Sequence, residues 1–525
     1  MDFDVVVAGA GPVGLLLACE LAVGGASVVV LERRPDVDQT MKAGAVGGLA
    51  AEALVRLGLG ERLERVQWDR GSAVIEMMRE SDPELDATLR AADAEGRLDE
   101  VTSEIHPFRR VRGHFGGLYM TRPPSPAEEA ERAYLFVAQQ EIEYALADRA
   151  RELGVPVWRE HPLDGFRQDE DGVAVEVGGL DVPLRAGYLV GCDGGRSLVR
   201  KLAGFDFPGT EPTITGHQAI VDLDEPDKLL PMGWRRTATG VLAYGPVAGR
   251  VLTVEFDGPP ADRDVPITAE EIEASLRRVS GTDVRVTAVR SATRFTDNAR
   301  RASTYRKGRV LLAGDAAHVH PPFGGQGLTL GLMDAANLGW KLAATVAGWA
   351  PDGLLDTYTA ERRLAAERVL QNNRAQVALM RPGPQTTALR EVFAEMMEQD
   401  EVLRFLQNML SGREIRYPVP DDAHPFVGWH MNEGKVVVEG REPASLAELM
   451  GSGRGVLLDF GYGADVAGWS DRVDVFRVAE ADRTDLSAVL IRRDGYVAWA
   501  ADWGEPNPEG LAKALHTWFG APLYW

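Results

Sequence analysis

Cysteine is scarce in this chain of 525 residues, which contains only Cys19 and Cys192. Two cysteines exclude a disulfide framework and a zinc site built on several thiolates. Both lie among apolar residues, so we expect buried, reduced thiols and a cytoplasmic protein. The chain also lacks a C-x-x-C pair, which excludes dithiol chemistry at such a motif.

Basic residues are outnumbered, since 57 Lys and Arg face 79 Asp and Glu and leave a net charge of −22. An acidic surface repels phosphates, so we expect no nucleic-acid and no membrane partner. The opening apolar run carries Asp2 and Asp4 where a signal peptide has basic residues, and Glu20 interrupts it before membrane-spanning length. The length predicts two or three domains of a soluble protein.

The first thirty residues instead predict a nucleotide site. "DVVVAGAGPVG" is typical of a buried strand that runs into a glycine turn and then a helix from about Pro12. Gly9 permits the tight turn, Gly11 lets a pyrophosphate approach the backbone, and Gly14 lets helix and strand pack closely. With Val13, the helix N-terminus offers unpaired N–H groups to the phosphates.

A second strand, "ASVVVLERR", ends on Glu32, eighteen positions after Gly14. A carboxylate there is placed to accept the ribose hydroxyls of an adenosine, and Arg33 is placed to lie along the adenine. NAD and FAD enzymes share this first motif, so later segments must decide between them.

Two later segments have the same strand-and-turn character. "YLVGCDGGRSLVRKLAG" turns at Asp193 and continues with Arg196 and Arg200. "GRVLLAGDAAHVHPPFGGQGLTLG" passes through Asp315, a proline pair and a second glycine loop before a long helix.

Together the three segments resemble those of the class A flavin monooxygenases, the group of para-hydroxybenzoate and phenol hydroxylases. The resemblance covers roughly the first 380 residues and implies an α/β fold in which a Rossmann-like domain binds FAD. In that family, reduced flavin carries negative charge that a helix N-terminus stabilises. Asp315 would bond a ribityl hydroxyl, and the flavin itself would be the catalytic group, with Pro321, Pro322 and Gly324 as the loop facing it.

The resemblance assigns further cofactor contacts. Gln139 matches a glutamine near the pyrophosphate, Leu163 a position beside the adenine, and Asp193 the D-G motif. An ion pair between Asp193 and Arg196 that only shapes the turn is an equal alternative. The complete predicted set is Gly9, Gly11, Pro12, Val13, Gly14, Glu32, Arg33, Lys42, Gln139, Leu163, Asp193, Asp315, Pro322, Gly325, Gln326, Gly327 and Leu328.

Two departures from the family pattern stand out. Lys42 replaces an arginine, so a planar fork becomes a point charge. The family's G-x-N-T-G is here "GLTLG", with Thr329 and Leu330. If a side chain at that loop binds the flavin, the change weakens binding; if the backbone binds it, the change is tolerable.

Between the two later segments, alternating patterns such as "GVLAYGPVAGRVLTVEF" predict antiparallel strands that roof a substrate cavity. Trp234, Tyr244 and Phe256 are candidate lining residues. We predict an FAD-binding domain from 1–75, 100–205 and 290–385, an inserted β-sheet substrate domain from 76–100 and 205–290, and a thioredoxin-like α/β domain from 386–525.

The last segment resembles the tail of phenol hydroxylase and of bacterial aromatic polyketide hydroxylases. "LIRRDGYVAWA" matches their L-V-R-P-D-G-x-V-A-W, with Arg493 in place of proline. Without cysteines, packing or dimer contact is its expected role, which allows a homodimer.

The resemblance implies an FAD- and NAD(P)H-dependent monooxygenase that uses O2 to hydroxylate a polycyclic aromatic polyketide through a flavin C4a-hydroperoxide. NADPH is preferred over NADH by resemblance alone. Baeyer–Villiger oxidation or epoxidation of a related polyketide is one alternative. A flavin dehydrogenase or oxidase is a second, and a non-catalytic binding protein is a third.

Overall fold

The computed structural model describes residues 1–40, 42–105, 113–120, 134–245, 247, 249–262, 265–431, 435–481 and 485–523. The helices of these residues are, in chain order, α1 (Pro12–Val23), α2 (Gly48–Arg56), α3 (Gly60–Ser81), α4 (Pro83–Ala94), α5 (Leu98–Ile105), α6 (Gln139–Glu152), α7 (Leu198–Leu202), α8 (Ala269–Ser280), α9 (Gly327–Val346), α10 (Thr357–Met380), α11 (Pro384–Met396), α12 (Asp400–Ser411), α13 (Leu446–Leu449) and α14 (Pro508–Phe519).

The strands of the same residues are, in chain order, β1 (Phe3–Ala8), β2 (Val28–Glu32), β3 (His114–Phe115), β4 (Leu118–Tyr119), β5 (Val157–Arg159), β6 (Leu163–Gln168), β7 (Val173–Val177), β8 (Leu184–Gly191), β9 (Thr215–Asp224), β10 (Gly233–Arg236), β11 (Gly240–Tyr244), β12 (Arg250–Glu255), β13 (Arg285–Phe295), β14 (Arg300–Arg301), β15 (Arg306–Lys307), β16 (Val310–Leu312), β17 (His318–Val319), β18 (Lys435–Val438), β19 (Ala444–Ser445), β20 (Gly455–Asp459), β21 (Val473–Ala481), β22 (Leu486–Ile491) and β23 (Val497–Asp502).

The first sheet is built around parallel strands in the order β16-β8-β1-β2-β5, and β15, β6 and β7 extend it with antiparallel pairs. Its central strands are continuous apolar runs, and Val5, Val6 and Val7 are fully buried. Such runs are expected where helices cover both faces of a parallel sheet. Helix α1 packs closely on α9, and a Cβ at Gly339 would overlap Glu20 of α1.

The second sheet is antiparallel, in the order β10-β11-β12-β9-β13. Its residues alternate between two faces because successive strand residues point to opposite sides. Leu242 and Tyr244 pack with Ile272 and Leu276 of α8. The other face carries Val241, among other residues, and packs against the loop before α9.

Residues 76–100 lie in α3, α4 and α5 and contribute no strand to this sheet. The segment therefore adds helices and not strands, and its assignment to the substrate-binding β-sheet domain stays a prediction. Because its apolar residues recur at helical rather than alternating spacing, as in the burial of Leu89 and Ala92, it forms helices.

The third sheet has the order β19-β18-β21-β20-β22-β23, with β20 and β21 parallel and β22 and β23 antiparallel to their neighbours. Helix α14 covers one face through Leu511 and Leu515, which share a core with Trp499 of β23.

A buried charge cluster joins α9 and α10 to the turn between β22 and β23. Glu361 accepts bonds from Lys341 at 2.6 Å and from Arg492 at 2.6 Å. Asp494 pairs with Arg492 at 2.5 Å, and Asn337 donates to both carboxylates. We call these five residues the closed cluster, and each of them is buried.

Arg493, the residue that replaces the expected proline, has a partner of its own. Its guanidinium lies 3.0 Å from the carboxylate of Glu20 and donates to the Glu20 carbonyl at 3.0 Å. The departure from the family pattern thus adds a buried contact from the turn between β22 and β23 to α1, beside the contacts to α9 and α10.

Among the described residues, no helix is long and apolar enough to cross a membrane. No group of three or more His, Cys, Asp or Glu side chains in that part of the chain is arranged to hold a metal ion.

Candidate cofactor site

Four predicted residues meet at one edge of the first sheet. Strands β1, β2, β8 and β16 run parallel, and their last residues pair in register, as Ala8 with Leu31 and Gly191, and Leu312 with Gly191. Gly9, Glu32, Asp193 and Asp315 follow or end these strands, so the fold brings them together. Ligands of open α/β sheets bind outside this carboxyl edge.

The three glycines of the turn differ in whether the protein itself leaves room for a side chain. Gly9 has a φ of +107°, and a Cβ there would lie 2.5 Å from the carbonyl oxygen of Cys192. A Cβ at Gly14 would overlap the carbonyl oxygen of Gly9. A Cβ at Gly11, in contrast, would meet no atom of the described residues within 4 Å. The protein itself gives no reason for the bare backbone at Gly11, and the space there fits a pyrophosphate beside the start of α1.

Glu32 stands across the turn from Gly11. Its two carboxylate oxygens accept bonds from the backbone N–H of Ala10 at 2.9 Å and of Arg34 at 2.9 Å. Each oxygen keeps a second lone pair, so the oriented carboxylate still has capacity to accept from ribose hydroxyls. Arg33 is exposed, and Leu163 begins β6 two residues after His161, whose backbone N–H donates to the carbonyl of Glu32 at 3.0 Å. The three residues predicted for the adenosine end therefore lie in one region.

Asp193 shapes its turn through backbone amides. One carboxylate oxygen accepts from the N–H groups of Leu198 and Val199 at 2.7 and 3.1 Å, at the start of α7. The other oxygen is buried and has no hydrogen-bond partner in the part of the chain described. Arg200 then ties this turn to the Asp315 turn, because it donates to the carbonyls of Gly195 and Ala316 at 2.8 Å each.

Lys42 and Gln139 lie near this edge but already have protein partners. Lys42 pairs with Asp38 at 2.9 Å, and Gln139 donates to Glu143 at 2.8 Å. Burial raises the pKa of Glu143, although the bond from Gln139 opposes that shift. Cofactor contact by either side chain requires it to share or exchange these partners, so both assignments stay predictions.

The second glycine loop leads into the N-terminus of α9. Asp315 is exposed in the one-turn helix Gly314–Ala316, and Pro321 is buried whereas Pro322 is exposed. Gly324 has a φ of +77°, and a Cβ at Gly325 would meet no atom within 4 Å in the part of the chain that the structure describes. The first N–H groups of α9 have no partner within the helix and carry partial positive charge. A flat anionic ring fits this open, electropositive loop.

The side chain of Gln326 faces inward. Its amide donates to the carbonyl of Met409 at 2.8 Å and accepts from Asn372. Leu328 is half-buried against the first core, and Thr329 accepts a bond from the backbone N–H of Gly47 at 2.8 Å. At this loop, therefore, the backbone of Gln326, Gly327 and Leu328 is what remains free to face a cofactor.

The aromatic candidates divide between the two faces of the second sheet. Trp234 and Phe256 pack in the same cluster as Phe323 of the glycine loop, and Phe295 stands edge-on to Phe323 at 5.9 Å. Tyr244 is on the opposite face, under α8. Because side chains alternate along β11, the prediction that Tyr244 lines the cavity is wrong.

Sequence reasoning missed a buried ionic support behind the loop. Asp334 of α9 bonds His318 at 2.6 Å, the Gly314 N–H at 3.0 Å and Arg362 at 2.8 Å. Burial opposes ionisation of Asp334, but His318 and Arg362 together lower its pKa. The available signal was an aspartate inside the otherwise apolar helix "GLTLGLMDAANLGWKLA".

His320 is a second missed residue. It is surrounded by protein, which lowers its pKa, and its Nδ1 donates to the carbonyl of Pro321 at 2.8 Å. A Cβ at Gly327 would lie 3.2 Å from its ring, so His320 supports the start of α9.

Comparison with known proteins adds two family matches. Residues 2–373 match the FAD binding domain family, and residues 424–522 match the family of aromatic-ring hydroxylase C-terminal domains. The first match contains the sheet edge and both glycine loops described above.

Similar proteins extend over the whole chain. It is 38% identical to the 12-dehydrotetracycline 5-monooxygenase/anhydrotetracycline 6-monooxygenase of Streptomyces rimosus, over 99% of this chain and 100% of that protein. It is 41% identical to a rifampicin monooxygenase of Streptomyces venezuelae, over 99% of each chain. The solved structure of the anhydrotetracycline hydroxylase OxyS from Streptomyces rimosus covers 100% of both chains, with 37% identity and a TM-score of 0.82.

Proposed function

This chain belongs to the class A FAD-dependent aromatic monooxygenases, and we propose that it hydroxylates a phenolic ring of a polycyclic aromatic polyketide. In this proposal NADPH supplies electrons and O2 supplies the oxygen atom. The observation that carries it is the aromatic face of the second sheet, where Trp234, Phe256 and Phe295 meet Phe323 beside the flavin loop. Its relatives named for anhydrotetracycline and rifampicin support a substrate with several fused or large rings.

Bound FAD supplies the redox chemistry and the activation of O2. The chain's own residues would bind and orient it: the turn at Gly11 would receive the pyrophosphate, Glu32 the ribose, and Asp315 the ribityl chain. The N-terminus of α9, from Gly327, would direct its N–H groups and partial positive charge toward the ring, which favours an anionic ring. The apolar rings around Phe323 hold the substrate and keep water away from the reacting atoms.

The domain division is part of the same proposal. We infer an FAD-binding domain from 1–75, 100–205 and 290–385, with the antiparallel sheet of 205–290 inserted in it. The strand order β21-β20-β22-β23, with one parallel and two antiparallel pairs, supports a thioredoxin-like fold for 386–525.

The test is turnover by the FAD-loaded enzyme with anhydrotetracycline and with rifampicin, under NADPH or NADH and isotopically labelled O2. We expect faster NADPH oxidation with one of these compounds, and a product whose mass shows one labelled oxygen on an intact ring skeleton. A lactone would indicate Baeyer–Villiger chemistry instead. Nicotinamide oxidation without labelled product from either compound would contradict the proposal.

A pair of variants tests the aromatic face. Trp234→Leu removes a ring from the face proposed to hold the substrate, where it stands edge-on to Phe323 at 6.3 Å. Losing one aromatic contact with the substrate is worth roughly 1.4 kcal/mol, so we expect KM to rise about tenfold. Tyr244→Phe changes the opposite face of the same sheet and should leave KM unchanged. Equal effects of the two substitutions would contradict this assignment.

A further inference from the structure

The hairpin β3–β4 lies at the flavin-facing loop. The N–H of Gly116, in the turn of the hairpin, donates to the side-chain oxygen of Gln376 at 3.1 Å. The amide nitrogen of the same glutamine lies 2.6 Å from where a Cβ of Gly324 would be. The side chain of Gln376, on α10, therefore lies between the hairpin and the loop.

His114, the first residue of β3, contributes a polar ring to the aromatic face. Its imidazole packs on Trp234 with ring centroids 4.7 Å apart, and Trp234 stands edge-on to Phe323 at 6.3 Å. The hydroxyl of Tyr119, opposite His114 in the hairpin, accepts a bond from the backbone N–H of Trp234 at 2.6 Å. The hairpin is thus fixed against β10, and His114 continues the row of rings that ends at the flavin loop.

The hydrogen bonding of His114 fixes which nitrogen carries its proton. The N–H of Gly117 donates to Nδ1 at 3.2 Å, so Nδ1 is unprotonated and Nε2 carries the hydrogen of the neutral ring. Burial lowers the pKa of His114 to about 4, although the residue as a whole is only half-buried. The ring is therefore neutral at physiological pH. No residue in the described parts of the chain accepts the Nε2 hydrogen.

Two other polar side chains of the described residues lie near His114. The oxygen of Tyr119 accepts the N–H of Trp234, and Tyr119 is exposed, while Arg390 of α11 donates to the carbonyls of Gly116 and Leu379. Nε2 of His114 is thus a donor that the described residues leave without an acceptor, beside the rings of Trp234 and Phe323.

We propose that His114 binds the substrate, donating its Nε2 hydrogen to a phenolic or quinone oxygen of the polycyclic ring. The proposal rests on the proposed function and names a residue that selects oxygenated aromatic substrates at that site. A hydrogen bond to a phenolate oxygen favours the ionised form, whereas an apolar pocket alone disfavours it. The ionised ring is richer in electrons at its carbons, so the same bond that orients the substrate also prepares it for hydroxylation.

The experiment titrates a bound polycyclic phenol instead of measuring turnover. Alizarin, whose anion absorbs at longer wavelength than its neutral form, is added to FAD-loaded enzyme, and its ionisation is followed against pH by difference spectra. Wild-type enzyme should ionise bound alizarin at a pH about one unit lower than His114→Phe does, a tenfold change in ionisation constant. Phenylalanine keeps the ring that packs on Trp234 but has no donor.

Two further variants separate a donor from a structural role. His114→Gln keeps an N–H donor without the ring and should restore most of the shift, while His516→Phe, at an exposed histidine of α14 outside the proposed site, should leave the wild-type ionisation in place. FAD content is measured for each variant, so that loss of the fold is recognised. Equal ionisation in wild-type and His114→Phe enzyme, a shift in His516→Phe equal to that in His114→Phe, or no alizarin binding by wild-type enzyme would overturn the proposal. Because this readout needs no NADPH or O2, its failure is distinct from a failure to hydroxylate.

Discussion

The glycine turn at Gly11, which we call the open turn, and the closed cluster around Glu361 differ in whether their polar groups already have partners within the protein. At the turn, N–H groups, a carboxylate with spare lone pairs and an unfilled space lie open beside each other. In the cluster, every charged group meets an opposite charge within 3 Å and the side chains are buried. A concentration of charged groups therefore indicates a ligand site only where the protein leaves part of their hydrogen-bonding capacity unused.

Substitutions in the two regions should therefore have separate effects. A substitution in the closed cluster should lower the free energy of unfolding and leave FAD affinity unchanged. A substitution in the open turn should lower FAD affinity and leave the free energy of unfolding unchanged.

The largest effect is expected from Arg492→Met. It leaves Glu361 and Asp494 buried with too little positive charge, and breaking a buried pair in this way costs about 3–5 kcal/mol. Denaturant unfolding of the apoprotein should show that loss, while the FAD dissociation constant of the folded protein stays within about twofold. The control is Arg167→Met, which breaks an exposed pair with Glu176 and should cost at most about 1 kcal/mol.

The open turn was predictable from the sequence and the closed cluster was not. Gly9, Gly11, Gly14 and Glu32 follow each other within one strand-turn-helix-strand unit, so local spacing fixes their geometry. The resemblance carried the family, which the comparisons confirm, and the FAD-binding fold.

The members of the cluster are far apart in sequence, and Arg492 lies 131 residues from Glu361. Only the docking of the C-terminal sheet on α10 brings them together, and no local pattern announces that contact. Tyr244 failed for a related reason: alternation predicts that neighbours face opposite sides, but not which side meets the flavin loop.

Acid should weaken the closed cluster next. Burial opposes ionisation of Glu361, but Arg492 and Lys341 outweigh it and hold its pKa below the usual 4.5. A carboxyl whose pKa is lower in the folded than in the unfolded chain adds stability that is present above the unfolded value and is lost as pH falls below it. We expect a loss of about 2 kcal/mol as pH falls from 5 to 3, because each pH unit between the unfolded and folded pKa values costs about 1.4 kcal/mol.

Lys341 does not contribute to that acid effect. Burial and repulsion from Arg492 lower its pKa to about 8 in spite of Glu361, so its own titration lies on the alkaline side. Denaturant unfolding at a series of pH values measures the acid loss, and Glu361→Gln should flatten the curve between pH 5 and 3. An unchanged slope in Glu361→Gln would assign the acid loss to other carboxyls.

At the open turn, Gly11→Ala should weaken FAD binding about tenfold, or roughly 1.4 kcal/mol. The new methyl group meets no atom of the described residues within 4 Å, so the fold should be unchanged, but the group enters the space assigned to the pyrophosphate. Fluorescence titration of apoprotein with FAD measures the dissociation constant, and denaturant unfolding should match wild type.

Gly451→Ala is the matched control, because its methyl group makes only an ordinary contact at 3.7 Å with the carbonyl oxygen of Arg56, at the last residue of α2, and Gly451 is not among the predicted cofactor contacts. Wild-type FAD affinity in Gly11→Ala would mean that the cofactor does not approach the turn. A large loss of unfolding free energy there would mean that the space is part of the protein's own packing.

The smallest effect is expected at Thr329, which lies in the proposed cofactor site but already has a hydrogen-bond partner within the protein. Its hydroxyl belongs to the flavin loop but already accepts the N–H of Gly47 at 2.8 Å, at the start of α2. Thr329→Val keeps the shape and leaves that half-buried N–H without its partner, which costs about 1 kcal/mol of stability. If the backbone of the loop holds the flavin, FAD affinity should fall only about twofold; a tenfold fall would show that the hydroxyl binds FAD itself. Thr517→Val, which removes an exposed helical hydroxyl bonded to Lys513, should change neither quantity and so isolates the contribution of the loop.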